Sequence, residues 1–348
     1  EEIKKLNGVE DCYRAAEYKL PEDAKPDGNP TKLSTSVGFI NADDMWALGY
    51  TGQGQTIAVI DTGIKVNHTN FATAPQDPHF DAAGIQSVLN RYDLCAEERY
   101  NGTLTGATLY HSAKLPFTFN YYAGNTDVSH ANAGSDHGTH VSSIAAGCDS
   151  SSRGVAYNAQ IISMQVFQDG GAAWSEILAA LEDCAWLEVD ALNMSLGSDN
   201  GFTQGEADME EVFALLTAHG VNCAVAAGNS GTAGSGNNYG SKQPTFNMDN
   251  GVVASPSTLG GSLSVAASSN SSSATPTSYS SWGTTADLSI KPEIMAPGDN
   301  IRAATDSQYS YSNYGTKSGT SMASPHIAGS MVLVNQYVNT AFPSLSEQ

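Results

Sequence analysis

The sequence predicts an α/β protein with a mostly parallel central sheet and helices on both faces. Two observations carry that expectation. Short β-branched apolar runs recur from residue 56 onward, and segments with helical apolar spacing separate them. Strands that alternate with amphipathic helices need right-handed crossovers, which make neighbouring strands parallel and cover both faces of the sheet. A third observation concerns polarity: Asp61, Ser195 and Asn229 each fall at or just past the end of an expected strand. In such sheets function gathers at the carboxyl ends of the strands, so the three residues share one rim.

The elements follow in order. "TIAVID" (56–61) is a β-branched run ending in an acid and a glycine turn, and reads as the first strand. "HGTHVSSIAAG" (137–147) reads as a helix and "AQIISMQVF" (159–167) as the next strand. "AWSEILAALEDCAWLE" (173–188) is a helix leading into the strand "DALNMSLG" (190–197). "EADMEEVFALLTAHG" (206–220) leads into "VNCAVAAGN" (221–229); its helix puts Met209, Val212, Phe213 and Leu216 on one face and stops at Gly220. A last helix is expected to begin near Ser321, with Thr320 as its cap. Pro325 cannot donate to the carbonyl of Ser321, so that turn should depart from regular helix geometry. Residues 72–135 and 230–285, rich in Gly, Asn, Ser and Thr, read as surface loops or insertions. Within the second, "SSNSSSATPTSYSS" (268–281) reads as a flexible tie.

The chain has 348 residues, 40% of them hydrophobic and 15% charged, enough to bury a sizeable core around one sheet. A net charge of −21 would repel a polyanion, which argues against nucleic acid as a partner. No apolar run approaches the roughly 20 residues needed to span a bilayer, and "EEIKKLNGVE" does not resemble a signal peptide. The cysteines, Cys12, Cys95, Cys148, Cys184 and Cys223, are odd in number and lack CxxC spacing. Neither a zinc site nor a complete disulfide framework is indicated. Cys184 and Cys223 read as small core residues.

An isolated serine is a poor nucleophile at neutral pH and needs an adjacent base, usually a histidine held by a carboxylate. The sequence offers an acid in "AVIDTGI", a histidine in "SDHGTHV" and a serine in "SGTSMASP". Taken singly, each motif has a plain structural reading: a turn-forming Asp-Thr-Gly, a packed helical histidine, an Asn-Ser-Gly turn. Taken together, on one rim and in the order Asp, His, Ser, they point to nucleophilic catalysis. With "NMSLG" and "AAGNSG" these segments resemble the subtilisin-type serine peptidases, the subtilases, over roughly residues 38 to 340. "SSWGTTADLSIKPEIMAPG" (280–298) is similar to the bacterial cell-envelope branch, without that branch's inserted protease-associated domain.

The resemblance implies a subtilisin-like fold and a serine endopeptidase that works through an acyl-enzyme, with no cofactor in the chemistry. It makes Ser321 the nucleophile, His137 the general base and then acid, Asp61 the residue that orients His137, and Asn229 an oxyanion donor beside the Ser321 N–H. His68 and His140 read as structural neighbours. Substrate would pair with Ser195, Leu196 and Gly197, the last keeping the approach clear of a Cβ. The first specificity pocket would be walled by Ala226, Ala227 and Gly228 and closed near Ala254, which favours an apolar or uncharged side chain before the scissile bond. The family often binds structural calcium through an acid soon after the catalytic Asp. Here Asn70 stands in that place, so no metal is expected there, while structural calcium elsewhere, as in the acidic insertion, stays open without a ligand spacing to place it. Two alternatives stay open: a catalytically inactive peptide-binding homologue, and an esterase or amidase acting on small substrates.

Residues 1–30 resemble a propeptide tail and linker, and residues 31–348 the peptidase catalytic domain, truncated at its C-terminal end. The implied partners are polypeptide substrates and the chain's own propeptide, acting as inhibitor and folding aid. The implied location is extracellular or at the cell surface, with no signal peptide in this chain.

Overall fold

A computed structural model describes residues 17–19, 23–129, 135–168, 170–198, 207–231, 253–270, 274–285, 287–306 and 310–344. Cys12 and much of the segment read as a propeptide tail lie outside the described residues. The chain begins with two short strands, β1 (Glu17–Lys19) and β2 (Thr31–Lys32), and two short helices, α1 (Leu33–Phe39) and α2 (Ala42–Ala47). β3 (Thr56–Asp61) opens the central sheet. It is followed by α3 (Ala82–Leu89), α4 (Cys95–Arg99), α5 (Gly106–Leu109), β4 (Phe117–Asn120) and α6 (His137–Ala146). The hairpin β5 (Cys148–Asp149) and β6 (Ser152–Arg153) precedes β7 (Gln160–Gln165), β8 (Gly171–Ala173), α7 (Trp174–Trp186) and β9 (Ala191–Met194). Then come α8 (Ala207–Ala218), β10 (Asn222–Ala226), β11 (Ser262–Ser268), and the pair β12 (Gly283–Thr284) and β13 (Ile290–Lys291). The last elements are β14 (Ile294–Pro297), β15 (Ile301–Ala304), β16 (Tyr314–Lys317) and the long α9 (Thr320–Ala341).

Seven strands form one sheet in the order β14-β11-β10-β9-β3-β7-β4, with parallel pairing throughout. The α/β class is therefore as the sequence predicted. From β3 the chain crosses to the edge at β4 and returns through β7. It then adds β9, β10, β11 and β14 on the other side of β3. Strand order reverses there, and a parallel sheet opens a crevice outside its carboxyl ends at such a point. Asp61 ends β3 and Ser195 directly follows β9, so both border the crevice.

All six residues of β3 are buried, and their alternation sorts the core. Ala58 and Ile60 face Leu181 of α7 and Phe213 of α8 in one apolar cluster. Ile57 and Val59 join Val141 and Ile144 of α6 and Met322 and Ala328 of α9 in the other. Because α6 and α9 share a face, their N-terminal residues His137 and Ser321 can meet over the same rim.

Residues 72–135 are not the surface loop that their composition suggested, since they hold three helices and an edge strand. α3 carries a local signal: the Asp81 side chain caps it by accepting from the Gly84 N–H, and Ile85 and Leu89 are buried four residues apart. α4 is secured from elsewhere. The buried Asp183 of α7 accepts from the N–H groups of Cys95 and Ala96 at 2.7 and 3.0 Å and from the Tyr121 hydroxyl at 2.7 Å. Burial pushes this carboxyl up to about 7. A cap supplied across the fold leaves no local pattern to read.

Residues 230–285 need a similar correction, because β11 is a core strand in serine-rich sequence. Ser262 Oγ donates to the Leu259 carbonyl at 2.8 Å and Ser264 Oγ to Ser257 Oγ at 3.1 Å, so buried hydroxyls fill positions where apolar side chains would have announced a strand. The described part of 268–281 is packed as well. Ser280 Oγ accepts the Ala267 N–H at 2.9 Å, and the buried Tyr279 donates to the Gly298 carbonyl at 3.0 Å. The four described cysteines are free thiols, with Cys184 and Cys223 buried as expected.

His326 of α9 is fully buried, with Nδ1 2.8 Å from the Met322 carbonyl and Nε2 2.9 Å from Ser36 Oγ. Burial pulls its pKa from 6.5 down to about 4. In that interval the unfolded chain binds a proton that the folded chain does not. The contribution to stability is therefore complete above pH 6.5 and is lost as the pH falls toward 4, about 3 kcal/mol in all. Urea midpoints measured from about pH 7.5 to 4 should fall less steeply for His326→Gln than for the unaltered chain. Parallel curves would contradict the assignment.

Candidate active site

Asp61 and His137 are each 1% exposed. His137 Nδ1 lies 2.9 and 3.0 Å from the two Asp61 carboxylate oxygens. Asp61 Oδ1 also accepts the Thr62 N–H at 2.7 Å, and Thr62 Oγ1 accepts the Gly138 N–H at 2.8 Å. The end of β3 and the start of α6 are thus tied together twice. The approach requires glycine at 138, where a Cβ would fall 2.2 Å from the Gly63 carbonyl oxygen. A carboxylate facing Nδ1 keeps the proton on that nitrogen and leaves Nε2 as the basic end of the ring.

Ser321 is the second residue of α9. The helix is capped at Gly319, so Thr320 is its first helical residue and not the expected cap. Gly319 adopts a φ of 154°, and a Cβ there would sit 3.2 Å from Asn229 Nδ2. Thr320 donates twice to Asn229 Oδ1, through its N–H at 2.9 Å and its hydroxyl at 3.1 Å. With Oδ1 engaged, the Nδ2 end of Asn229 is the donor. The Ser321 hydroxyl donates to the Ser195 carbonyl at 3.3 Å rather than to the His137 ring in this conformation.

α9 runs unbroken through Pro325, which leaves one intrahelical hydrogen bond unmade. That bond would have ended on the Ser321 carbonyl. Ser195 Oγ supplies the replacement, donating to this carbonyl at 2.8 Å. Asn193 Nδ2 donates to Ser195 Oγ at 3.0 Å, and Ser324 Oγ donates to Asn193 Oδ1 at 2.8 Å. The chain of bonds leaves α9 at Ser324, crosses the end of β9 and returns to α9 at Ser321. Ser195→Ala should leave the carbonyl unsatisfied and cost about 1–3 kcal/mol. Pro325→Ala restores a backbone donor, so it should be less harmful, or even helpful, in the Ser195→Ala background. Urea midpoints of the four proteins measure the coupling. Equal effects of Pro325→Ala in both backgrounds would show that the carbonyl is not the link.

The residues expected to bind substrate also come together. Ala226, Ala227, Leu196 and Ala254 are buried, and Ala254 N–H donates to the Ala227 carbonyl at 2.9 Å. A Cβ on Gly197 would fall 2.9 Å from Ala254 Cβ and 2.9 Å from the Ser255 carbonyl oxygen. Internal packing therefore calls for glycine here, in addition to the substrate clearance expected of it. Gly228 has a φ of 107°, and a Cβ there would lie 3.0 Å from Ser281 Oγ. Ser281 carries no motif that would mark it. Its N–H donates to the Gly228 carbonyl at 2.8 Å and its hydroxyl oxygen accepts the Ser230 N–H at 2.9 Å, which braces the Asn229 turn from both sides.

The neighbouring histidines are packed rings. His140 Nε2 lies 3.0 Å from the Ile301 carbonyl, and burial pulls its pKa down to about 3. His68 Nδ1 accepts the Asn70 N–H at 3.0 Å, and burial lowers its pKa as well.

Two described pieces of the N-terminal segment bond to elements that adjoin the site. β1 pairs antiparallel with β8, placing Tyr18 opposite Ala172 with its ring 5.9 Å from that of Trp174. Farther on, the Ala24 N–H donates to the Ser318 carbonyl at 2.7 Å, just ahead of Ser321 in α9.

The model of the Subtilase family matches residues 52–347. The PII-type proteinase of Lacticaseibacillus paracasei is 30% identical over 281 residues, covering 77% of this chain and 14% of that proteinase. Subtilisin DY of Bacillus licheniformis is 29% identical over 314 residues, covering 89% of this chain and 85% of that protein. Subtilisin E of Bacillus subtilis is 28% identical over 301 residues, covering 86% of this chain and 60% of that protein. The chain thus spans only a small part of the larger relatives and most of a small one. A seven-stranded parallel sheet and a family match across most of its length place one conclusion beyond the geometry: the chain belongs to the subtilase family.

Proposed function

We propose that the chain is a serine endopeptidase that hydrolyses peptide bonds through an acyl-enzyme on Ser321. The observation that carries this reading is the buried contact of His137 Nδ1 with both Asp61 oxygens, on the rim where α9 presents Ser321. The Ser321 hydroxyl swings from the Ser195 carbonyl to His137 Nε2 and yields its proton as Oγ attacks the substrate carbonyl. Asp61 stabilises the resulting imidazolium without taking the proton. Asn229 Nδ2 and the Ser321 N–H hold the oxyanion at the positive end of α9. The imidazolium then protonates the leaving amine, and water activated by the same ring releases the acyl group.

Substrate lies extended along Ser195, Leu196 and Gly197, and the pocket formed by Ala226, Ala227, Gly228 and Ala254 takes an apolar or uncharged side chain. Subtilase chemistry needs no cofactor. No calcium is assigned to Asn70: its Nδ2 donates to the Ser152 carbonyl at 2.9 Å and to the Tyr314 hydroxyl at 3.3 Å, and the neutral amide oxygen that remains is a weaker ligand than a carboxylate. Residues 1–30 act as a propeptide tail and linker ahead of a catalytic domain at 31–348. The contacts of β1 with β8 and of Ala24 with Ser318 support an inhibitory role for that segment. Polypeptides are the substrates, and the working location is extracellular or at the cell surface. Among the described residues no helix is long and apolar enough to cross a membrane.

Casein degradation is the test. Degradation with new peptide products is the expected result. Hydrolysis of small esters without casein cleavage would favour an esterase, and inactivity towards both would favour a peptide-binding homologue.

A further inference from the structure

Lys317 ends β16, directly before Ser318. Its Nζ lies 3.1 Å from Asp136 Oδ1 and 3.1 Å from Asp23 Oδ2. Asp136 precedes His137 and belongs to the rim itself, where its Oδ2 accepts the Asp306 N–H at 2.9 Å. Asp306 in turn pairs with Lys65. Asp23 belongs instead to the N-terminal segment, and its side chain is 43% exposed against 14% for Lys317. One carboxylate is thus a fixed part of the site and the other arrives with the N-terminal segment, whose described residues 17–19 and 24 bond to β8 and to Ser318. Burial alone would lower the Lys317 pKa, but Asp23 and Asp136 outweigh it and keep the ammonium charged.

The direction of that polypeptide matters. It pairs with β8 at residues 17–19 and reaches the Ser318 carbonyl at Ala24, so it runs from β8 toward Ser318. In acyl transfer the residues N-terminal to the attacked carbonyl stay on the serine, and those C-terminal to it leave. A substrate running the same way therefore lays its acyl part along β8 and its leaving part past Ser318. The residue that precedes the one bonded to Ser318 then presents its side chain to Lys317.

Building on the peptidase reading above, we propose that Lys317, held by Asp136, is a specificity-determining residue that selects an acidic side chain on the leaving-group side of the scissile bond. The preferred substrates are polypeptides acidic at that position. The chain's net charge of −21 does not oppose this, because repulsion from distant surface charges is screened beyond about 8 Å at physiological salt. A carboxylate 3.1 Å from the Lys317 ammonium is not screened in that way. Since the pair is partly open to water, its effect is a moderate preference and not an absolute requirement.

Internally quenched peptides copying residues 17–27, with Asp, Asn or Lys at the position of Asp23, are given to the full chain, and the products are identified by mass. The expected cut lies N-terminal to the varied residue. The expected kcat/KM for Asp exceeds that for Asn by roughly three- to tenfold, with Lys poorer still. Lys317→Met should flatten this ranking and Lys317→Glu should invert it, with fluorophosphonate labelling showing that each variant keeps a reactive serine. Should those variants fail to fold, the unaltered chain still decides the matter, since the Asp preference should shrink at about 1 M salt, where the Debye length falls to about 3 Å. Cleavage without discrimination, a preference left unchanged in size by Lys317→Met or by high salt, or a cut C-terminal to the varied residue overturns this proposal alone. Absence of cleavage of every peptide together with absence of labelling overturns the peptidase reading and this proposal with it.

Discussion

Ser321→Ala is expected to lower casein hydrolysis by about 10⁶-fold while the fold survives, a loss of the size subtilisin shows when its own nucleophile is removed. The two halves of this expectation have separate causes. Chemistry fails because no other hydroxyl replaces Ser321: Ser324 Oγ is committed to Asn193 and Thr320 Oγ1 to Asn229. Stability holds because alanine is the best helix former and the lost hydroxyl makes one long hydrogen bond, at 3.3 Å to Ser195. The carbonyl of residue 321 keeps its bond from Ser195, since that bond uses the backbone. The thermal midpoint should therefore move by no more than a few degrees. Retention of a tenth of the activity would rule Ser321 out as the nucleophile.

Asp61→Asn should reduce kcat by about 10⁴-fold with KM little changed. Shape is not the reason, because asparagine fits the same space. The Asp61 carboxylate accepts from His137 Nδ1 and from the Thr62 N–H. In the variant, Oδ1 keeps the Thr62 N–H and the amide group turns toward the ring, where it offers hydrogens instead of lone pairs. His137 must then accept at Nδ1 and carry its proton on Nε2, which leaves no base for Ser321. Nitrogen NMR of the labelled ring should show the proton moving from Nδ1 to Nε2. A fall of tenfold or less, or an unchanged tautomer, would contradict this role for Asp61.

The residues brought together on the rim were legible for a physical reason. Asp61, His137, Asn229 and Ser321 sit at strand ends and helix starts, where the chain must turn, and glycines accompany each turn. Motifs of that kind are local, so the sequence displays them. The support behind them is not local. Pro325 announces that the Ser321 carbonyl lacks a donor, but nothing in the sequence names Ser195 as its replacement, because the two meet only when β9 packs under α9. Ser281 braces the Asn229 turn from a stretch whose composition reads as a tie. The missed elements follow the same logic: α4 depends on Asp183 from α7, and β11 hides its strand character in buried serines. Lys317 escaped notice because a lysine in a loop-like run has no pattern until Asp136 and Asp23 flank it.

The central claim is that Ser321 is a nucleophile activated by His137 and Asp61. Its most direct test is a fluorophosphonate probe applied to the folded protein, with the labelled peptide located by mass spectrometry. A single covalent adduct on Ser321 is expected, absent after Ser321→Ala and greatly slowed in Asp61→Asn. No adduct on a protein shown to be folded, or an adduct on any other residue, would contradict it.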